Sequence, residues 1–104
     1  MSKPATTPLM RQHAAIKAKH PDVPIIAFPR GAAAQAASFV RETGVDGVSC
    51  DTSMPIAQMA ELSKATCVQG NLDPLLLVAG GPAMDARVDS LKAVMAGRPY
   101  IFNL

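Results

Sequence analysis

The feature that most limits the fold of this chain is an alternation between short apolar runs and longer stretches with helical periodicity. Four largely apolar runs lie at residues 23–28, 45–50, 66–69 and 100–104. They are nearly continuous rather than alternating, which is typical of strands that are buried on both faces. Parallel strands joined by helices have this property. The sequence therefore predicts an α/β fold built on a parallel sheet.

Capping and breaking residues delimit five helical stretches. Thr7 followed by Pro8 is typical of a helix start, and Gly44 is typical of the position just past a helix end. Asp73 is predicted to be a structural cap for another helix. The predicted helices lie near residues 8–19, 32–43, 55–62, 74–79 and 82–96. Helices that join neighbouring parallel strands make right-handed crossovers, which place them against the sheet. We therefore expect a parallel sheet that is covered by helices.

Composition narrows the range of functions. The chain has 104 residues, 49% hydrophobic and 17% charged, so we expect a folded domain with a modest core. No apolar run approaches the ~20 residues of a membrane span. The net charge is only +2, the basic residues are scattered along the chain, and Trp is absent. Neither nucleic acid nor a membrane is therefore an expected partner. The polar start does not resemble a signal peptide, and two cysteines do not make a disulfide scaffold, so a reducing, cytoplasmic location is predicted.

Polar residues in the turns after the strands form the candidate site. In parallel α/β folds, ligands bind at the carboxyl ends of the strands. The candidate pocket-lining residues there are Phe28, Arg30, Asp51, Gln69 and Asn71. Arg30 either meets an anionic ligand or is a solvated turn residue. Gln69 and Asn71 either hold the backbone of their loop or face a ligand.

The sequence does not show the spacing of a metal or acid–base site. His13 and His20 belong to the first helix rather than to a strand end, so we expect them to be structural or exposed. Cys50, Asp51 and Cys67 lack paired ligand spacing, and no metal site is predicted. Both cysteines are expected to be small buried residues. A disulfide between them needs neighbouring strands and is rare in the cytosol.

Four blocks of the sequence together resemble one known family. They are residues 21–32 (PDVPIIAFPRGA), 43–51 (TGVDGVSCD), 68–74 (VQGNLDP) and 100–104 (YIFNL). The QGNLDP block and the FNL block are specific in combination. From about Lys19 to Leu104, the chain resembles the C-terminal third of the uroporphyrinogen decarboxylases.

The resemblance implies a (β/α)₈ barrel, longer than this chain, that acts as a homodimer in haem and tetrapyrrole biosynthesis. Such enzymes remove carbon dioxide from the four acetate side chains of uroporphyrinogen III and form coproporphyrinogen III, with no cofactor or metal. The chain would supply roughly the last four strands of this TIM barrel with their connecting helices. Residues 1–18 would be an atypical N-terminal helical segment. Residues 19–104 would be the C-terminal part of the barrel, truncated after its final strand.

The resemblance also implies that the family's catalytic residues fall outside this chain, so none is carried over. We therefore expect the isolated chain to be inactive. Around Asp51 the family usually has Leu-Asp-Trp, whereas this chain has Cys50-Asp51-Thr52. Because a half-barrel has unpaired strand edges and an uncovered apolar face, the chain alone is expected to be marginally stable and to associate.

Two alternatives remain at this level. The first is a part of the related zinc-dependent corrinoid or coenzyme M methyltransferases, which share the barrel. Those enzymes typically carry a zinc-binding His-x-Cys at the end of the strand that matches Ile25 to Phe28, where this chain has Phe28-Pro29-Arg30-Gly31. That difference favours the decarboxylases. The second alternative is a non-catalytic module.

Overall fold

Helices and strands alternate in the computed structural model, which describes residues 7–31 and 33–104. In order, the elements are α1 (Pro8–Lys19), β1 (Ile26–Ala27), α2 (Ala36–Thr43), β2 (Gly47–Ser49), α3 (Ile56–Leu62), β3 (Cys67–Gln69), α4 (Pro74–Ala79), α5 (Gly81–Met95) and β4 (Tyr100–Ile101). This order confirms the predicted α/β alternation. The second predicted helix differs, because it begins with a 3₁₀ turn at Ala33–Gln35, and its first residue, Ala32, lies outside the described residues.

Local sequence sets the helix ends. At the start of α1, Thr7 Oγ1 accepts a hydrogen bond of 3.1 Å from the Met10 amide. Gly44 ends α2 with a φ of +66°, a conformation that favours glycine. At the start of α4, Asp73 Oδ1 accepts a hydrogen bond of 2.9 Å from the Leu75 amide. Among the described residues, no helix has both the length and the apolar character that crossing a bilayer requires.

The four strands form one parallel sheet, as the sequence pattern predicts, and their order β1-β2-β3-β4 is the one that the resemblance to a β/α barrel implies. Ala27 lies beside Val48, Val48 beside Val68, and Val68 beside Tyr100. Partners in register point to the same side of a sheet, so this row of residues belongs to one face. Strands that follow each other in chain order, with a helical connection between neighbours, are the repeating unit of β/α sheets.

Helices pack against this face of the sheet, which we call the covered face. Ala27 is 2% exposed, and Val48 and Val68 are 0% exposed. The buried cluster continues from these strand residues into the helices, where it includes Phe39, Met59, Leu62, Leu91 and Met95. The hydrophobic core therefore lies between the sheet and its connecting helices.

The opposite side of the sheet, which we call the open face, carries the alternate residues. A Cβ atom placed on Gly47 would lie 3.2 Å from Ile26 Cγ1 and 3.6 Å from Cys67 Cβ, so these side chains share this side. Gln69 follows on the same side, two residues along β3, with Ile101 beside it. Ile26 is 45% exposed and Ile101 is 42% exposed. The described helices thus bury one face of the sheet and leave the other accessible.

The strands are shorter than predicted, since β2 covers three residues of the predicted run 45–50 and the two outer strands cover two residues each. The predicted strand at residues 23–28 pairs with β2 over two residues only, since Pro24 has no amide hydrogen to donate. Just before the paired residues, the Ile25 amide donates instead to Asp46 Oδ2 at 2.8 Å. The predicted strand at residues 100–104 also pairs over two residues. The side chain of Asp46, the residue before β2, therefore replaces part of the ladder at β1.

Candidate functional site

A cleft of about 520 Å³ lies at the carboxyl edge of the sheet. The turns after β1 and β2 line it together with the start of α4. Its lining includes Phe28, Arg30, Asp51, Ser53, Leu75 and Leu104. Phe28, Arg30 and Asp51 are candidate residues from the sequence, and the structure brings these three together.

The Asp51 carboxylate joins two turns of this cleft. Its Oδ2 accepts a hydrogen bond of 2.6 Å from the Gly31 amide, in the turn after β1. Its Oδ1 accepts hydrogen bonds from the Ser53 hydroxyl at 2.5 Å and from the Ser53 amide at 3.1 Å. The Ser53 hydroxyl first, then the Gly31 amide, and more weakly the charge of Arg30, hold the pKa of Asp51 below its usual value. Asp51 is therefore an ionised clamp between the turns after β1 and β2.

Arg30 extends from the turn after β1. Its guanidinium carbon lies 5.9 Å from the centre of the Phe28 ring, within the range of a cation–π contact. The Arg30 amide donates to the Phe28 carbonyl at 2.9 Å, which holds the turn closed. Within residues 7–31 and 33–104, no ion pair or side-chain hydrogen bond engages the guanidinium. The cleft therefore has an exposed cation at its rim.

Asn71 does not line the cleft, because it is buried behind the cleft wall with 1% of its surface exposed. Its Nδ2 donates to the backbone carbonyls of Asp51 at 2.7 Å and Met54 at 3.0 Å. Its Oδ1 accepts a hydrogen bond of 3.3 Å from Arg87 Nη2 on α5. The side chain therefore holds the loop after β2 in place and connects it to α5.

Gln69 also lies away from the cleft, on the open face of the sheet. Its Nε2 donates to Ser49 Oγ at 3.3 Å, between neighbouring strands. Both side chains are half-buried. The structure thus divides the five candidates from the sequence: three line the cleft, one supports it from behind, and one belongs to the open face.

Gly70 lets the ends of β2 and β3 approach each other closely. It has a φ of +118°, and a Cβ atom there would lie 2.7 Å from the Cys50 carbonyl oxygen, so other residues do not fit. The Tyr100 hydroxyl donates to the Gly70 carbonyl. With Asn71, this glycine shows that the QGNLDP block builds the edge of the sheet behind the cleft, while Asp73 and Pro74 at the end of the block line the cleft itself.

Sequence reasoning missed two apolar residues of the cleft. Leu75 is 77% exposed and Leu104 is 48% exposed. A signal for Leu75 was available, because α4 has the sequence PLLLVA with no polar face to turn towards water. Leu104 had no such signal, since its position depends on how β4 pairs with β3.

The two cysteines lie in different environments, and both are thiols. Cys50 belongs to the buried core, and burial, followed by the negative charge of Asp51, raises its pKa to about 11. Cys67 is half-buried on the open face. In the part of the chain that the structure describes, no three His, Cys, Asp or Glu side chains are grouped so that they could hold a metal ion.

Comparison with known proteins agrees with the resemblance seen in the sequence. The family model of uroporphyrinogen decarboxylase (URO-D) matches residues 3–104. The uroporphyrinogen decarboxylase of Rhodospirillum rubrum is 48% identical over 98 residues, which cover 93% of this chain and 28% of that protein. The enzyme of the same name from Sphingopyxis alaskensis is 49% identical over 90 residues, 86% of this chain and 26% of that protein. That of Hyphomonas neptunium is 55% identical over 83 residues, 79% of this chain and 24% of that protein.

The chain therefore spans about a quarter of the length of the curated relatives that it matches. The family match covers nearly all of its residues, including both the cleft and the edge of the sheet behind it. The chain belongs to the uroporphyrinogen decarboxylase family.

Proposed function

We propose that this chain forms part of the wall of a uroporphyrinogen decarboxylase barrel, with the open face of its sheet turned towards the barrel interior. Four parallel strands in chain order are half of an eight-stranded β/α barrel. The exposed Ile26 and Ile101 side chains then become part of the inner packing of the barrel. The cleft that carries Phe28, Arg30 and Asp51 lies at the carboxyl ends of these strands, where β/α barrels bind their substrates.

The proposed reaction converts uroporphyrinogen III to coproporphyrinogen III. Protonation of a pyrrole ring carbon draws electrons from the adjacent acetate, its carbon–carboxyl bond breaks, and carbon dioxide leaves. A proton then adds to the remaining methylene and gives a methyl group, and the proton on the ring carbon leaves, which restores the pyrrole. The protein's contribution is to position the substrate and to stabilise its cationic intermediate. This chain would supply an apolar wall and an exposed guanidinium, while the proton donor would come from the rest of the barrel.

One observation carries the proposal: the cleft borders a sheet that is packed on one face only. Within the described residues, β1 and β4 each pair with a strand on one side. Unpaired parallel edges and an uncovered face are what a half-barrel presents. We infer that the remaining strands come from segments outside these residues, in the same protein or in another chain. A reducing cytoplasmic location and a homodimeric whole enzyme belong to the same proposal.

The test is a hybrid enzyme, in which the 98 residues of this chain that match the Rhodospirillum rubrum relative replace the corresponding segment of that protein. We expect the hybrid to form coproporphyrinogen from uroporphyrinogen, because the sheet, the cleft and the remaining strands are then all present. The 104-residue chain alone is expected to form none and to sediment as associated species. Product is measured by chromatography of the oxidised porphyrins.

The control is the same relative without the matching segment. A hybrid that melts cooperatively and forms no coproporphyrinogen would contradict the proposed function. Product formation by the purified 104-residue chain would contradict the inactivity of the chain alone. A sharp monomeric sedimentation boundary with cooperative melting would contradict the marginal stability expected from its open edges.

A further inference from the structure

We propose that Arg30 is a carboxylate-binding residue of the cleft, and that it binds one acid side chain of a polycarboxylate ligand whose pyrrole ring lies on the apolar residues beside it. This inference deepens the proposed function and rests on it. It assigns a binding role to a residue in the turn after β1 and states the ligand chemistry that this turn takes.

The first support is the state of the guanidinium. Arg30 is exposed, and its guanidinium lies 5.9 Å from the centre of the Phe28 ring, a cation–π contact that leaves the N–H donors in the guanidinium plane unused. In residues 7–31 and 33–104, the cation is not paired with a carboxylate. An arginine whose planar fork is held over a cleft with its donors unused is suited to bind a carboxylate through two hydrogen bonds.

The second support is that the acids of the cleft are occupied. Asp51 uses both oxygens to accept hydrogen bonds from Gly31 and Ser53. Asp73 accepts from the Leu75 amide as the cap of α4. Both carboxylates therefore hold the loops of the cleft, Asp51 through two amides and the Ser53 hydroxyl, and the bond from Gly31 to Asp51 ties down the turn that carries Arg30. An incoming carboxylate can reach the guanidinium without displacing an ion pair.

The third support is the apolar surface next to the cation. Phe28 is 51% exposed, Leu75 is 77% exposed and Leu104 is 48% exposed, and all three line the same cleft. Together they make a floor on which an aromatic or pyrrolic ring loses contact with water. A cation at the rim of an apolar cleft selects a ligand with an apolar body and an acidic edge rather than a small inorganic anion.

The experiment measures equilibrium binding by fluorescence titration, with uroporphyrin as the probe and its octamethyl ester as the matched uncharged probe. The proteins are the 104-residue chain and the hybrid enzyme, each as wild type, Arg30→Ala, Arg30→Lys and Arg41→Ala. Arg41 is an exposed arginine in the last turn of α2, away from the carboxyl edge of the sheet. Its replacement controls for the loss of one positive charge.

In the hybrid, we expect Arg30→Ala to weaken binding of the free acid about tenfold, the worth of a partly exposed charge-assisted hydrogen-bond pair. Arg30→Lys is expected to restore part of the loss, because it keeps the charge and loses the fork. Arg41→Ala is expected to bind like wild type, and the ester is expected to bind equally to all four proteins. The chain alone is expected to follow the same order with weaker binding.

Equal binding of the free acid by wild type and Arg30→Ala overturns the proposal, whatever the activity of the hybrid. An equal loss in Arg30→Ala and Arg41→Ala also overturns it, because the effect is then one of net charge. A hybrid that shows the Arg30 effect but forms no coproporphyrinogen supports the carboxylate site and contradicts the decarboxylase function. An active hybrid without the Arg30 effect does the reverse.

Discussion

The two faces of the sheet are built from neighbouring residues of the same strands, yet they differ in burial. On the covered face, Val48 and Val68 are completely buried, whereas Ile26 and Ile101 on the open face are 45% and 42% exposed. The sequence runs are nearly continuously apolar, which predicts burial on both faces. The described residues bury only one of them. The open face thus carries uncovered apolar side chains at Ile26 and Ile101 beside the polar pair Ser49 and Gln69, and the barrel proposal offers a cover for the apolar ones.

A charge placed on adjacent residues of β3 tests this comparison with the largest effect. Val68→Asp puts a carboxylate into the core between the sheet and the helices, at a cost of more than about 4 kcal/mol. Since the chain alone is expected to be marginally stable, we expect this variant to be unfolded without urea. Gln69→Asp, on the open face, is expected to cost less than about 1 kcal/mol in the 104-residue chain. Urea unfolding followed by circular dichroism measures both.

The same two substitutions are then compared in the hybrid enzyme. If the open face becomes the barrel interior, the cost of Gln69→Asp should rise there, while Val68→Asp should unfold both proteins. Similar losses in the free energy of unfolding for the two substitutions in the 104-residue chain would show that the open face is packed. The two faces would then not differ in burial.

Replacement of Asn71, the buried residue that holds the loop behind the cleft, is expected to have the next largest effect on the free energy of unfolding. Asn71→Ala removes the side-chain donor to the Met54 carbonyl and the acceptor of Arg87, and it leaves the Asp51 carbonyl with the Met54 amide as its remaining donor. We expect a loss of about 2–4 kcal/mol in the free energy of unfolding. Asn103→Ala is the matched control, with an expected loss below about 0.5 kcal/mol, because Asn103 is exposed. Equal losses would show that the network behind the cleft does not stabilise the fold.

The parts of the fold that were predicted from sequence are those that local residues determine. The apolar runs and caps such as Thr7 and Gly44 act within a few residues, so the α/β alternation and the parallel sheet were both predicted correctly. The length of β1 was not, since Asp46 takes over the Ile25 amide across 21 residues of sequence. A competition between a ladder bond and a distant carboxylate leaves no local pattern.

The candidate site shows the same division. Strand ends locate the turns, so the sequence places Phe28, Arg30 and Asp51 at one edge of the sheet. It leaves the role of Asn71 open, because the partners of that amide come from the loop after β2 and from α5. The sequence identifies the region of the cleft, while which side chains face it depends on contacts between distant segments.

Chemical modification of the two native cysteines compares the accessibility of the two faces without any substitution, and it is the smallest change to the chain. Cys50 is 3% exposed and its pKa is raised to about 11, so at pH 8 it is almost entirely a buried thiol. Cys67 is half-buried on the open face. We expect iodoacetamide to modify Cys67 at least about tenfold faster than Cys50 in the 104-residue chain, as measured by mass spectrometry of the peptides.

The raised pKa of Cys50 makes the stability of the folded chain depend on pH in the alkaline range. Because the folded-state pKa of Cys50 lies above that of an unfolded thiol, the unfolded chain loses this proton first, and stability falls as the pH rises from about 9 towards 11. Cys50→Ser removes this contribution and serves as the control.

In the hybrid, Cys67 should become protected, because the remaining strands cover the open face. If Cys67 instead reacts equally fast in the chain and in the hybrid, the open face is not the barrel interior, and the two faces differ for a reason other than a missing half.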